Sequence, residues 1–150
     1  MTAPGAFTSG DVLTAADMND LPAGVLGYDD YSAPVTVTTS DNDLLSVTFT
    51  VASTRRIVIM MFLPQVGNPS ISNEIIAGIY QAPSGTTRLN NVYTTLYSAD
   101  YTDVSVVWIG QYSAGTHTAY GSVRTSAGTA TISMASNRRS NLIVYDGGNV

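Results

Sequence analysis

Hydrophobic and polar residues alternate along most of this chain. Val47, Phe49 and Val51 interleave with Ser46, Thr48 and Thr50, which puts apolar side chains on one face of a strand and hydroxyls on the other. That is the pattern of a half-buried antiparallel strand. From Ile57 to Leu63 the pattern changes: Ile57, Ile59, Met61 and Leu63 alternate with Val58, Met60 and Phe62, apolar on both faces. Such a strand belongs in the middle of an assembly, under a second sheet on one face and under something else, such as a neighbouring subunit, on the other. These six residues from Ile57 to Phe62 are therefore candidates for core or trimer interface.

Further strands are expected over 74–81, 86–97, 105–111, 116–125, 130–134 and 141–146. Turn residues punctuate them at Asp41-Asn42-Asp43, Val66-Gly67-Asn68-Pro69, Ala82-Pro83-Ser84-Gly85, Ser113-Ala114-Gly115, Ala127-Gly128 and Gly147-Gly148. Many short strands with regular punctuation predict an all-β antiparallel sandwich or jelly roll. A parallel sheet would need crossover helices, and no segment offers one.

The opening residues differ in character. Thr14-Ala15-Ala16-Asp17 has capping-box spacing, with Asp17 well placed in a first helical turn, and Pro22 and Gly24 end the helix. A helix this short is unstable alone, so Val12, Leu13, Met18 and Leu21, together with Phe7, need a surface: their own domain or a partner. The chain thus divides into an N-terminal arm with one short helix, residues 1–23, and a sandwich domain, residues 24–150.

Charge narrows the choice of partners. The chain has no lysine, one glutamate (Glu74), ten aspartates and six arginines, for a net charge of −5. Helical surfaces rely on Lys and Glu, whereas Thr, Val, Ile and Tyr suit a pleated surface, so composition agrees with pattern. Only Arg55-Arg56 and Arg138-Arg139 are paired, which is too little clustered positive charge for a nucleic-acid partner. No apolar run is long enough to span a bilayer, and Met1-Thr2-Ala3-Pro4-Gly5 lacks the basic and apolar regions of a signal peptide. A soluble protein that neither inserts in membranes nor follows the usual secretory route is expected.

Candidate chemistry is sparse. With no cysteine there is neither a disulfide nor a thiolate ligand, and the single histidine, His117, has no HExxH or HxH partner. Its threonine neighbours make it an ordinary strand residue. No G-x-S-x-G marks a nucleophile. Asp29-Asp30, Asp41/Asp43 and Asp100/Asp103 are the carboxylate pairs that glycoside hydrolysis or calcium would need, but each falls at an expected turn or strand end, where Asp serves local backbone hydrogen bonds. We expect no catalytic residue, no cofactor and no metal site. Tyrosine remains: Tyr93, Tyr97, Tyr101, Tyr112 and Tyr120 fit either a subunit interface or a sugar, with Tyr97 and Tyr101 the candidates for glycan contact. Trp108, within Val106-Val107-Trp108-Ile109, reads as core.

Three blocks resemble known proteins. Phe7-Thr8-Ser9-Gly10-Asp11-Val12-Leu13-Thr14-Ala15-Ala16-Asp17-Met18-Asn19 resembles the leader of small tail, fibre and head-surface proteins of tailed phages that infect actinobacteria. Leu26-Gly27-Tyr28, then 45–51 and Arg55-Arg56-Ile57, resemble the first strands of the domain such proteins carry. Ser113-Ala114-Gly115-Thr116-His117-Thr118, Ala135-Ser136-Asn137-Arg138-Arg139 and Leu142-Ile143-Val144-Tyr145-Asp146-Gly147 resemble its later strands. The resemblance implies a jelly roll shaped like tumour necrosis factor, a homotrimer on the virion surface. Its arm would dock on the major capsid or tail protein through Phe7, Val12, Leu13, Met18 and Leu21. The alternative it leaves open is a tail-tip module that binds a host-surface glycan. No shaft separates arm from domain here, which favours a knob seated on the particle over a long fibre.

Overall fold

The computed structural model describes residues 24–67, 73–96, 101–134 and 137–150. The arm with its short helix, and Tyr97, lie outside these residues. Ten strands follow in order: β1 (Gly24–Tyr31), β2 (Val35–Val37), β3 (Asn42–Val51), β4 (Arg55–Gly67), β5 (Asn73–Tyr80), β6 (Arg88–Leu96), β7 (Tyr101–Tyr112), β8 (Gly115–Thr125), β9 (Ala130–Ile132) and β10 (Ser140–Asn149). Every pairing is antiparallel.

The strands form two sheets. One runs β1-β10-β4-β7, and where β10 leaves off beyond Phe62 the short β9, with β2 beside it, takes its place against Val66 and Gly67. The other runs β3-β8-β5-β6. From β2 to β9 the chain crosses between the sheets at every step except the β5–β6 hairpin, which is jelly-roll connectivity. The alternation read in the sequence decides which faces meet. Val47, Phe49 and Val51 of β3 pack across the sandwich toward Ile57, Ile59, Met61 and Leu63 of β4, and Ile75, Ile79, Val104, Val106, Leu142 and Val144 complete the core. At roughly 1.5–3 kcal/mol for each large apolar side chain taken from water, this interior is the main source of stability.

Several boundaries differ from those expected. β4 does not stop at Val66: one extra residue between Leu63 and Val66 lets the strand continue to Gly67. Gln65 occupies the left-handed region (φ 47) at this bulge, its N–H donating to Asp103 Oδ1 at 2.9 Å and its carbonyl accepting from Ser133 N at 3.0 Å. Gly147-Gly148 is likewise no turn but part of β10. A side chain at Gly147 would meet the Arg56 carbonyl at 3.0 Å, and Gly148 adopts φ 93. The glycines there permit close backbone approach and do not end the strand. Asp29 and Asp30 lie inside β1 and Asp103 inside β7, where they bond outside their own strands. Trp108 is only partly buried, since β7 is the last strand of its sheet and the ring packs at the margin of the core.

Candidate functional site

The two outer faces of the sandwich have opposite chemistry. On β3 and β8 the hydroxyls predicted to point outward form a ladder, Thr48 with Thr118 at 3.0 Å and Thr50 with Thr116 at 3.1 Å. On the other sheet, register lines up apolar residues from four strands. Val25, Tyr145, Val58 and Ile109 form one cross-strand row, and Tyr28, Ile143, Met60 and Val107 the next. Val25, Tyr28 and Ile109 are each more than half exposed, and Met60 and Val107 are also exposed. Thus Ile57, Ile59 and Met61 are core, while Val58, Met60 and Phe62 belong to this outer face. Among the described residues charge appears only at its margins, as Arg56 at one end and Asp103 with the Arg139–Asp30 ion pair at the other.

A second feature lies at one end of the sandwich. β5 pairs with β8 as far as Tyr80 and Tyr120, whereas β8 begins at Gly115, so residues 115–119 have β3 on one side and, among the described residues, no strand on the other. Beside this bare edge is a hollow of about 510 Å³. Its lining joins the amides of Gln81 and Gln111 to the hydroxyls of Thr116 and Thr118, with Tyr112, Ser113, His117 and Tyr120 around them. Among the described residues no Asp, Glu, Lys or Arg lines it.

Aromatic packing positions this lining. Tyr112 meets Phe49 edge-on at 5.2 Å and Trp108 at 5.4 Å, and His117 lies 4.6 Å from Tyr112. His117 Nε2 is 2.9 Å from the Ser113 carbonyl, which can only accept, so this nitrogen carries the proton and Nδ1 of the neutral ring is left as an acceptor. The Tyr112 hydroxyl is buried without a hydrogen-bond partner. Burial pushes it above its ordinary value near 10, and Gln81 pulls weakly the other way without forming a well-aligned bond.

The remaining expected residues are dispersed. Tyr101 is exposed at the opposite end of β7 from Tyr112, roughly 36 Å away along an extended strand, with its ring laid over Gly67. The carboxylates are occupied locally: Asp29 accepts from Ser46 N, Asp43 from Ser84 N, Asp41 faces Arg124 and Asp103 caps the Gln65 bulge. Among the described residues no group of three His, Cys, Asp or Glu side chains converges as a metal site would require. Sequence reasoning missed the hollow because only the fold brings Gln81 beside the stretch from Gln111 to Tyr120. The one local signal, Gln111 to Tyr120 rich in hydroxyl and amide residues, does not stand out in a chain rich in both.

Comparison with known proteins bears on the fold. No protein-family model matches the sequence, and no curated protein matches it. Among solved structures, the chain is similar to the Eiger tumour necrosis factor of S. frugiperda, with a TM-score of 0.51 and 11% identity over 85% of this chain and 94% of that one. It is less similar to a protein of the disulfide-linked Bacillus endospore appendages, with a TM-score of 0.43 and 8% identity over 93% and 99% of the two chains. For VP2 of the infectious bursal disease virus subviral particle the values are 0.46 and 14%, over 97% of this chain and 42% of that one. Of the three, only the first exceeds a TM-score of 0.5, and at its identity it establishes the fold alone: the chain is a jelly-roll sandwich of the tumour-necrosis-factor type.

Proposed function

We propose that this chain is a non-enzymatic structural protein of a tailed-phage virion, a trimeric surface knob fastened to the capsid or tail by residues 1–23. The observation that carries the reading is the exposed apolar face of the β1-β10-β4-β7 sheet. Contiguous exposed apolar rows mark interfaces. Copies that each carry a net charge of −5 repel one another, and a face whose interior rows hold no charge is where they can meet. The threefold count, the virion and the anchoring arm rest on the sequence resemblance.

The test is solution mass. At micromolar concentration light scattering should return three times 15.8 kDa, and Met60→Glu with Ile109→Glu should return the single-chain mass with the β-sheet circular dichroism unchanged. A single-chain mass for the unmodified protein refutes self-association. Removing residues 1–23 should leave a folded trimer that no longer joins particles, and retained incorporation refutes the anchoring role.

A further inference from the structure

We infer that the hollow beside the bare edge of β8 is a binding site for a neutral saccharide. The size of the hollow, about 510 Å³, lies within the roughly 300–1,000 Å³ of small-ligand sites. Its chemistry excludes charged ligands first. The described residues include six aspartates and six arginines, and none of them lines the hollow, so among these residues neither an anion nor a cation finds a counter-charge. What lines it instead suits a ligand rich in hydroxyls. Gln81 and Gln111 each offer an acceptor and two donors, Thr116 and Thr118 offer the hydroxyl capacity left beyond their bonds to Thr50 and Thr48, and His117 offers Nδ1 as an acceptor because Nε2 is committed to Ser113. A sugar hydroxyl both donates and accepts, so it can satisfy all of these.

The Tyr112 hydroxyl is the second line of support. Leaving a buried hydroxyl unpaired costs about 1–3 kcal/mol, and phenylalanine would fill the same aromatic cluster without that cost. The hydroxyl interacts with Gln81, a lining residue, and has almost no accessible surface of its own, so a ligand pairs with it where the Gln81 side chain moves aside. An extended peptide added along residues 115–119 is the competing occupant. It would draw its specificity from pockets for alternate side chains, and the lining offers one polar hollow instead. Gln111 and Tyr112 lie on β7, at the margin of the apolar face, whereas Thr116, His117, Thr118 and Tyr120 belong to β8 of the other sheet.

The experiment is a titration of the ¹⁵N-labelled full chain with neutral mono- and disaccharides, with glucuronate and a short peptide library as controls. At least one neutral saccharide should give saturable shifts at Gln81, Gln111 and residues 116–118. Gln81→Ala and Thr118→Val should each bind about tenfold more weakly. Tyr112→Phe should bind more weakly while unfolding at the same or a higher temperature, which a purely structural hydroxyl would not do, and Tyr101→Ala should bind unchanged. No shift with any neutral saccharide, shifts confined to the Tyr101 end, or shifts at β8 with peptides alone would each overturn the inference. None of these outcomes bears on the solution mass, so the two readings fail separately.

Discussion

Burying Arg55 beside Asp146 takes two charges out of water, which is tolerated only when the hydrogen bonds are complete. Arg55 Nε reaches both Asp146 oxygens at 3.1 and 3.0 Å, its Nη1 donates to Asn149 at 2.8 Å, and Gly148 N–H donates to Asp146 Oδ1 at 2.8 Å. Asp146→Ala would leave the guanidinium buried without its counter-ion, so urea unfolding should show a loss of about 3–5 kcal/mol. Tyr112 makes a different prediction, in pH. Its hydroxyl titrates higher in the folded chain than the unfolded value near 10, because burial disfavours the phenolate. Both states are neutral below that value. As pH rises past it the unfolded chain loses its proton first, so stability falls across the interval up to the folded value. Thermal unfolding between pH 9 and 11 should show this loss, and Tyr112→Phe should reduce it.

At the scale of strands, glycine and aromatic residues work in pairs. The Tyr80 ring covers Gly78 on the outer face of β5, and a Cβ there would meet it at 2.7 Å; the Trp108 ring covers Gly110 in the same way on β7. Gly110→Val would force the ring off and disturb its contact with Tyr112, at an expected cost of about 1–3 kcal/mol in chemical denaturation. How far such elements can be read from sequence depends on what encodes them. β4 was legible because Ile57 to Leu63 is apolar at every position, and the β3 face was legible because its hydroxyls alternate strictly. The continuation of β4 through Gln65 was not. Glutamine carries no signature of positive φ, and the bulge is held by Asp103, 38 residues away. Gly147-Gly148 misled in the opposite direction, since close packing against Arg56 and a turn select the same residue. The hollow was illegible for a related reason: Gln81 and His117 become neighbours only because β5 ends opposite Tyr120.

Across the whole molecule, the two faces divide the surface by chemistry: hydroxyls over β3 and β8, apolar rows over β1, β10, β4 and β7. The double substitution Met60→Glu, Ile109→Glu separates association from folding, because both side chains point away from the core and neither supports it. The position of β10 has a separate consequence, for how the chain is made. This strand, the tenth of the ten in sequence, lies between β1 and β4, which come far earlier. Until residues 140–149 clear the ribosome, β1 has no neighbour in its sheet among the described strands, β4 has only β7 and the short β9, and Arg55 has no Asp146. The sandwich therefore closes only after β10 has emerged, through contacts of long sequence separation that form slowly. During that interval the edge of β4, apolar on both faces, is open to strands of other nascent chains, and on polysomes crowded with this message the hazard is misassembly before folding.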